Sequence, residues 1–156
     1  MSIRLRSGFV AIALLFPLVR GGNVQAEPLS RSLCISPTAV GVVRAYYRAL
    51  DEHRAAAAKA CLTARYLARL ATVVDPDWKN VSAARVVRIR ARAVIAGPLP
   101  PDITPAPYRA VQVAADVVMH CRRIGGSPNG LNIWFIYVIK QRPASPWRIA
   151  DTGSGP

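Results

Sequence analysis

Few residues of this 156-residue chain are equipped for reaction chemistry, and their spacing limits what each can do. Asp116 and His120 are an acid and a base four residues apart. On a strand they share a face, but at about 3.3 Å per residue they stand ~13 Å apart, beyond hydrogen-bond reach. They are expected to be two solvated side chains rather than a catalytic dyad. His53 follows Asp51 and Glu52 where a helix should end, so it reads as a cation at the negative end of the helix dipole. No serine stands in a nucleophile elbow. Gly125 and Gly126 lead into Ser-Pro, which is a turn and not the start of a phosphate-binding helix. Cys34, Cys61 and Cys121 lack the spacing of paired zinc ligands, roughly two to four residues. No cofactor and no metal are expected, and a non-enzymatic role is the expectation.

Binding chemistry has better candidates. Tyr46, Tyr47, Tyr66, Trp78, Trp134 and Trp147 combine an apolar body with a polar tip, which suits a small ligand or a peptide. Their plainer use is to close a core. Arg88, Arg90 and Arg92 recur at every second position and form a basic row that fits an anionic partner, with Arg122 and Arg123 nearby if the strands form a meander. Its plainer use is a solvated sheet face, which also guards an exposed strand against edge pairing.

The elements that must position these residues begin after a secretory signal. Arg4 and Arg6 form a basic start, Gly8 to Val19 an apolar run, and Val24-Gln25-Ala26 a site with cleavage expected before Glu27. That divides the chain into a signal peptide (1–26), a short extension (27–36) and one domain (37–156). The apolar run is shorter than the about 20 residues a bilayer span needs, and no later run is longer. No membrane span is expected after cleavage, and the product belongs in the periplasm, the cell envelope or the medium. Losing Arg4, Arg6 and Arg20 lowers the formal charge from +13 to +10. Such an excess favours an anionic surface, while export argues against nucleic acid. A protein or small-ligand partner, and a homodimer, remain open. In an oxidising compartment two of the three cysteines can pair. Cys61 ends an Ala-rich helix and Cys121 ends the inward set of a strand, so these two are expected to be bridged, with Cys34 accessible.

Helices come first. Ser36-Pro37 is a helix start, and Val40, Val43, Tyr47 and Leu50 make its apolar face. A second helix is expected over Arg54–Ala60. Thr63 caps a third, with Tyr66, Leu67 and Leu70 inward. From Trp78 the period becomes two. Val87, Ile89, Ala91 and Ala93 alternate with the arginines, and Val111 to Cys121 alternate again after a stiff loop at 96–107 that holds five prolines. Leu131 to Ile139 is apolar on both parities, as in a strand covered on both faces. A two-proline turn and a short last strand close the chain, with Trp134 and Trp147 placed near each other across the hairpin. Core positions expected from parity are Val87, Ile89, Val113, Val117, Trp134 and Ile149. Helices followed by an antiparallel meander define an α+β fold, with the N-terminal helices packed on a curved sheet.

Two stretches carry a family resemblance. AVGVVRAYYRALDEHRAAAAKACLT (39–63) reads as a helix ending in Tyr-Tyr-x-Ala-Leu-Asp and a short helix after it. NIWFIYVIKQ followed by PWRIADTGSGP closes the chain. Together they resemble the nuclear transport factor 2-like superfamily of α+β cone folds, over about residues 37–156. The close is similar to small exported bacterial proteins ending Trp-Arg-Ile-x-Asp-x-Gly-x-Gly-Pro. The resemblance implies a cystatin-like cone with its first helix in the concave side. Members include enzymes, carriers and accessory domains, so fold alone assigns no site. Its enzymes place an Asp–His or Tyr–Asp set inside the cone, which makes a small cavity-based hydrolase or isomerase the alternative to a binding domain.

Overall fold

The computed structural model describes residues 34–73, 75–93, 106–123 and 128–154. The signal expected at 1–26 and most of the Pro-rich loop lie outside the described residues. Four helices, α1 (Ala39–Asp51), α2 (Ala55–Ala60), α3 (Ala64–Ala71) and α4 (Asp77–Asn80), precede four strands. The strands are β1 (Val81–Ala93), β2 (Arg109–Cys121), β3 (Gly130–Lys140) and β4 (Arg148–Ser154). They form one open antiparallel sheet in sequence order, an α+β arrangement.

Two of the helices, α1 and α3, start where a threonine side chain accepts an orphan amide. Thr38 caps α1 by accepting from Gly41 N–H, so the helix begins two residues later than Ser36-Pro37 led us to expect. Ser36 instead accepts from Thr38 N–H at 3.2 Å, and a Cβ on Gly41 would collide with its hydroxyl. Thr63 caps α3 by accepting from Tyr66 N–H, as expected. The single turn of α4 replaces the expected early strand. Asn80 at its end is buried and bonds both Arg123 N–H and Arg123 C=O, which ties the start of β1 to the end of β2.

Between α1 and the inner sheet face lies the core. Val42, Val43, Tyr46, Tyr47 and Leu50 of α1 pack with Val113, Ala115, Val117 and Met119 of β2, Ile136 and Val138 of β3, and Ile149 of β4. Val113, Val117 and Ile149 are fully buried as expected, and Ile89 and Trp134 pack half-buried against the cluster. Val87 is not a core residue: it is 53% exposed. The ladder slips between Val86 and Arg88, and the extra residue turns Val87 out while restoring Ile89 to the inner face. Trp134 and Trp147 are also not neighbours. Trp134 lies opposite Ser154, whereas Trp147 precedes the Ile139–Arg148 pair at the other end of the hairpin.

The disulfide departs from expectation. Cys34 is bonded to Cys61, with Cα atoms 5.1 Å apart, and Cys121 is free. Register explains this. Ile149 N–H donates to Cys61 C=O, and Ile149 lies in the row of Val138 and Val111. Cys121 is ten residues further along β2, about 33 Å from that row. Cys34 meets Cys61 because Arg148 holds the Cys34 carbonyl at 3.2 Å and Trp147 Nε1 holds that of Pro37 at 3.1 Å. Cys34 is therefore fully buried and not accessible.

Candidate functional site

The six aromatics do not gather around one opening. Tyr46, Tyr47, Tyr66 and Trp147 are buried, while Trp78 and Trp134 are half-buried against the core. Tyr46 and Tyr47 meet edge to face with ring centroids 5.3 Å apart. The Tyr46 hydroxyl donates to Asp77 at 3.2 Å, and Tyr66 shares a 2.5 Å hydrogen bond with Thr152. Burial, reinforced by the Asp77 charge, pushes the Tyr46 and Tyr47 phenols well above their usual range. Burial raises Tyr66 as well, against the Thr152 hydrogen bond that lowers it. These phenols are neutral at pH 7, so they donate hydrogen bonds and do not act as bases. Two cations approach the Trp147 ring: the charged groups of Arg109 and Lys140 are 6.0 and 5.9 Å from its centroid. Lys59 approaches the Trp78 ring at 5.2 Å. Trp134 Nε1 is buried without a hydrogen-bond partner among the described residues.

Asp116 and His120 occupy the outer face of β2, as expected. Asp116 is bound to Arg88 directly across the ladder, with Nε to Oδ2 at 2.6 Å, and His120 is exposed. Exposed His53 sits after α1 with a positive φ of 55°.

Arg88, Arg90 and Arg92 stay together. They stand exposed on the outer face of β1, which among the described residues has a neighbouring strand on one side only. Arg85 extends the row beyond the bulge. Of these four, only Arg88 has an anionic partner among the described residues. Exposed Val87, Leu131 and Ile133 lie on the same outer face and leave an apolar strip beside the arginines. Arg123 pairs with Asp75 at 3.5 Å, and Arg122 remains exposed at the end of β2.

Acidic groups within the described residues are already engaged. Asp51 accepts from Ala84 N–H, Glu52 from Arg54, Asp75 from Arg123, Asp77 from Tyr46, Asp116 from Arg88 and Asp151 from Arg69. Sequence reading missed these pairings because they join residues up to 82 positions apart. It also missed Arg44 and Arg48 of α1 and Arg85 of β1, which line one groove. The i, i+4 spacing of the two helical arginines was the available signal. No group of three or more His, Cys, Asp or Glu side chains able to hold a metal occurs among the described residues. No family model, curated protein or solved structure matches the chain.

Proposed function

We propose that the chain is an exported, non-catalytic binding domain of the nuclear transport factor 2-like cone class, and that its basic β1 face engages an anionic surface. The observation that supports this is charge without compensation. Arg85, Arg90 and Arg92 have no acidic partner among the described residues, while every described acid is used internally. Exposed cations beside an apolar strip add electrostatic attraction to apolar burial when an anionic surface approaches. Screening length sets the salt range: attraction extends about 8 Å at physiological ionic strength and further in dilute buffer.

Charge-reversal variants test this at constant net charge. Arg90→Glu/Arg92→Glu should release the protein from anionic phospholipid vesicles at lower salt than Arg54→Glu/Arg142→Glu does. Equal release would assign the binding to bulk charge and sink the reading.

A cavity-based hydrolase or isomerase has one observation in its favour, the Tyr46–Asp77 pair. It requires substrate access to a phenol that is 3% exposed. Its test is an ester and ketone panel with Asp77→Asn: activity in the parent that disappears in the variant would favour it.

A further inference from the structure

A groove of about 660 Å³ runs between α1 and β1. Gly41, Arg44, Ala45 and Arg48 form its helical wall, and Arg85 and Val86 form its strand wall. The helical residues make one stripe, because positions three and four apart share a face. Arg44 and Arg48 are exposed, and exposed Arg85 lines the strand wall. None of the three has an ion pair or a side-chain hydrogen bond among the described residues. Three guanidinium groups around one groove repel each other, and an anionic occupant relieves that repulsion.

Spacing identifies the kind of anion. One turn separates Arg44 from Arg48, a rise of about 6 Å. Side chains on the same side of an extended peptide recur every second residue, about 6.6 Å. Carboxylates at alternate positions of an extended segment therefore match the two arginines.

The strand wall offers backbone partners. Among the described residues β1 is an outer strand, and its Ala84 N–H donates to the Asp51 carboxylate at 3.0 Å at one end of the groove. That bond shows an edge amide satisfied by a carboxylate in place of a strand. Antiparallel alternation directs the Val86 N–H and C=O the same way as those of Ala84, before the ladder slips. On the opposite wall Ser36 covers Gly41, and Ala45 projects only a methyl group between Arg44 and Arg48.

We propose that this groove binds an extended acidic peptide segment, with alternate carboxylates on Arg44 and Arg48, a further one toward Arg85, and backbone hydrogen bonds to Val86. The mode is edge recognition of a strand combined with charge selection. It shares only Arg85 with the basic β1 face, while Arg44 and Arg48 belong to the groove alone, so the Arg44/Arg48 and Arg90/Arg92 variants let either reading fail without the other.

Fluorescence anisotropy of the full chain with a labelled decapeptide alternating Glu and Thr tests it. Arg44→Gln/Arg48→Gln should weaken binding at least about tenfold, while Arg90→Gln/Arg92→Gln, with the same charge lost, should change it less than about threefold. Arg85→Gln, on the other wall, should weaken it in the same direction. A decapeptide alternating Gln and Thr should not bind. Circular dichroism and melting of each variant confirm that the fold is kept; if Arg44→Gln/Arg48→Gln melts early, Arg85→Gln carries the test. Equal losses in the two double variants would overturn the proposal. So would binding of the Gln peptide, or displacement of the Glu peptide by pyrophosphate or anionic vesicles at matched charge concentration.

Discussion

Replacing both Cys34 and Cys61 by alanine should cost the fold much of its stability. The bond closes a loop with a sequence separation of 27. In the chain-entropy relation a loop of that length gives about 3.5 kcal/mol at 25 °C, an amount the unfolded chain regains when the bond is absent. That figure is the unfolded-state part alone, and the gaps left by two fully buried sulfurs add a smaller packing loss to it. Two attachments hold the region without the bond: Ile149 N–H to Cys61 C=O at 2.9 Å, and Arg148 to Cys34 C=O at 3.2 Å. The native structure therefore survives, and the loss falls on the equilibrium. A loss of about 3.5 kcal/mol lowers the melting temperature by roughly 10 °C for a domain of this size. Urea titration of Cys34→Ala/Cys61→Ala beside Cys121→Ser measures it directly. Cys121 is half-buried and free, so its variant should lie within about 0.5 kcal/mol of the parent. A double variant as stable as the parent, or a non-reducing peptide map linking Cys121, would refute the reasoning.

Ile136 is fully buried, so Ile136→Ala should cost about 2–5 kcal/mol. Val87→Ala, at an exposed bulge, should cost less than about 0.5 kcal/mol in the same denaturation series. Thr63→Ala removes the acceptor for Tyr66 N–H and should lower stability by about 1 kcal/mol. Tyr46, Tyr47 and Tyr66 have phenols raised above the ordinary value of 10.0. Unfolding frees them to ionise near that value, so stability is full below pH 10 and falls as pH rises beyond it. Alkaline unfolding followed by tyrosinate absorbance checks this: ionisation should coincide with loss of structure, and phenolate absorbance in the folded protein would contradict it.

Period and caps were the legible part of this fold. The alternation Val113, Ala115, Val117, Met119 named the inner face of β2 because no irregularity interrupts that set. Thr63 was readable as a cap because capping is local. Val87 was misread for the opposite reason: one added residue in β1 reverses parity, and nothing in an Arg/Val alternation marks where it falls. The bridge was misread because helix ends and strand ends were matched by burial alone. Which end of β4 the Cys61 segment joins is decided by the long-range pairing with Ile149. The arginine row was legible as a row. Its lack of compensation was not, since it depends on where Asp51, Asp116 and Asp151 find their partners.

The Cys61–Thr63 segment runs parallel to β4, bridged at Leu62 and Ile149, with Thr63 N–H bonded to Ile149 C=O at 2.8 Å. Tyr66 and Arg69 of α3 then hold Thr152 and Asp151 further along. That side of the sheet is covered from Ile149 to Thr152, and among the described residues the other side ends at β1. A particle with two open sides can join neighbours without limit, as fibre-forming chains do. One open on a single side can only complete a ladder. Two such particles meeting edge to edge would consume both openings and stop. Growth from concentrated solution, when it occurs by strand pairing, therefore ends at pairs, and the arginines along β1 raise the barrier even to that step.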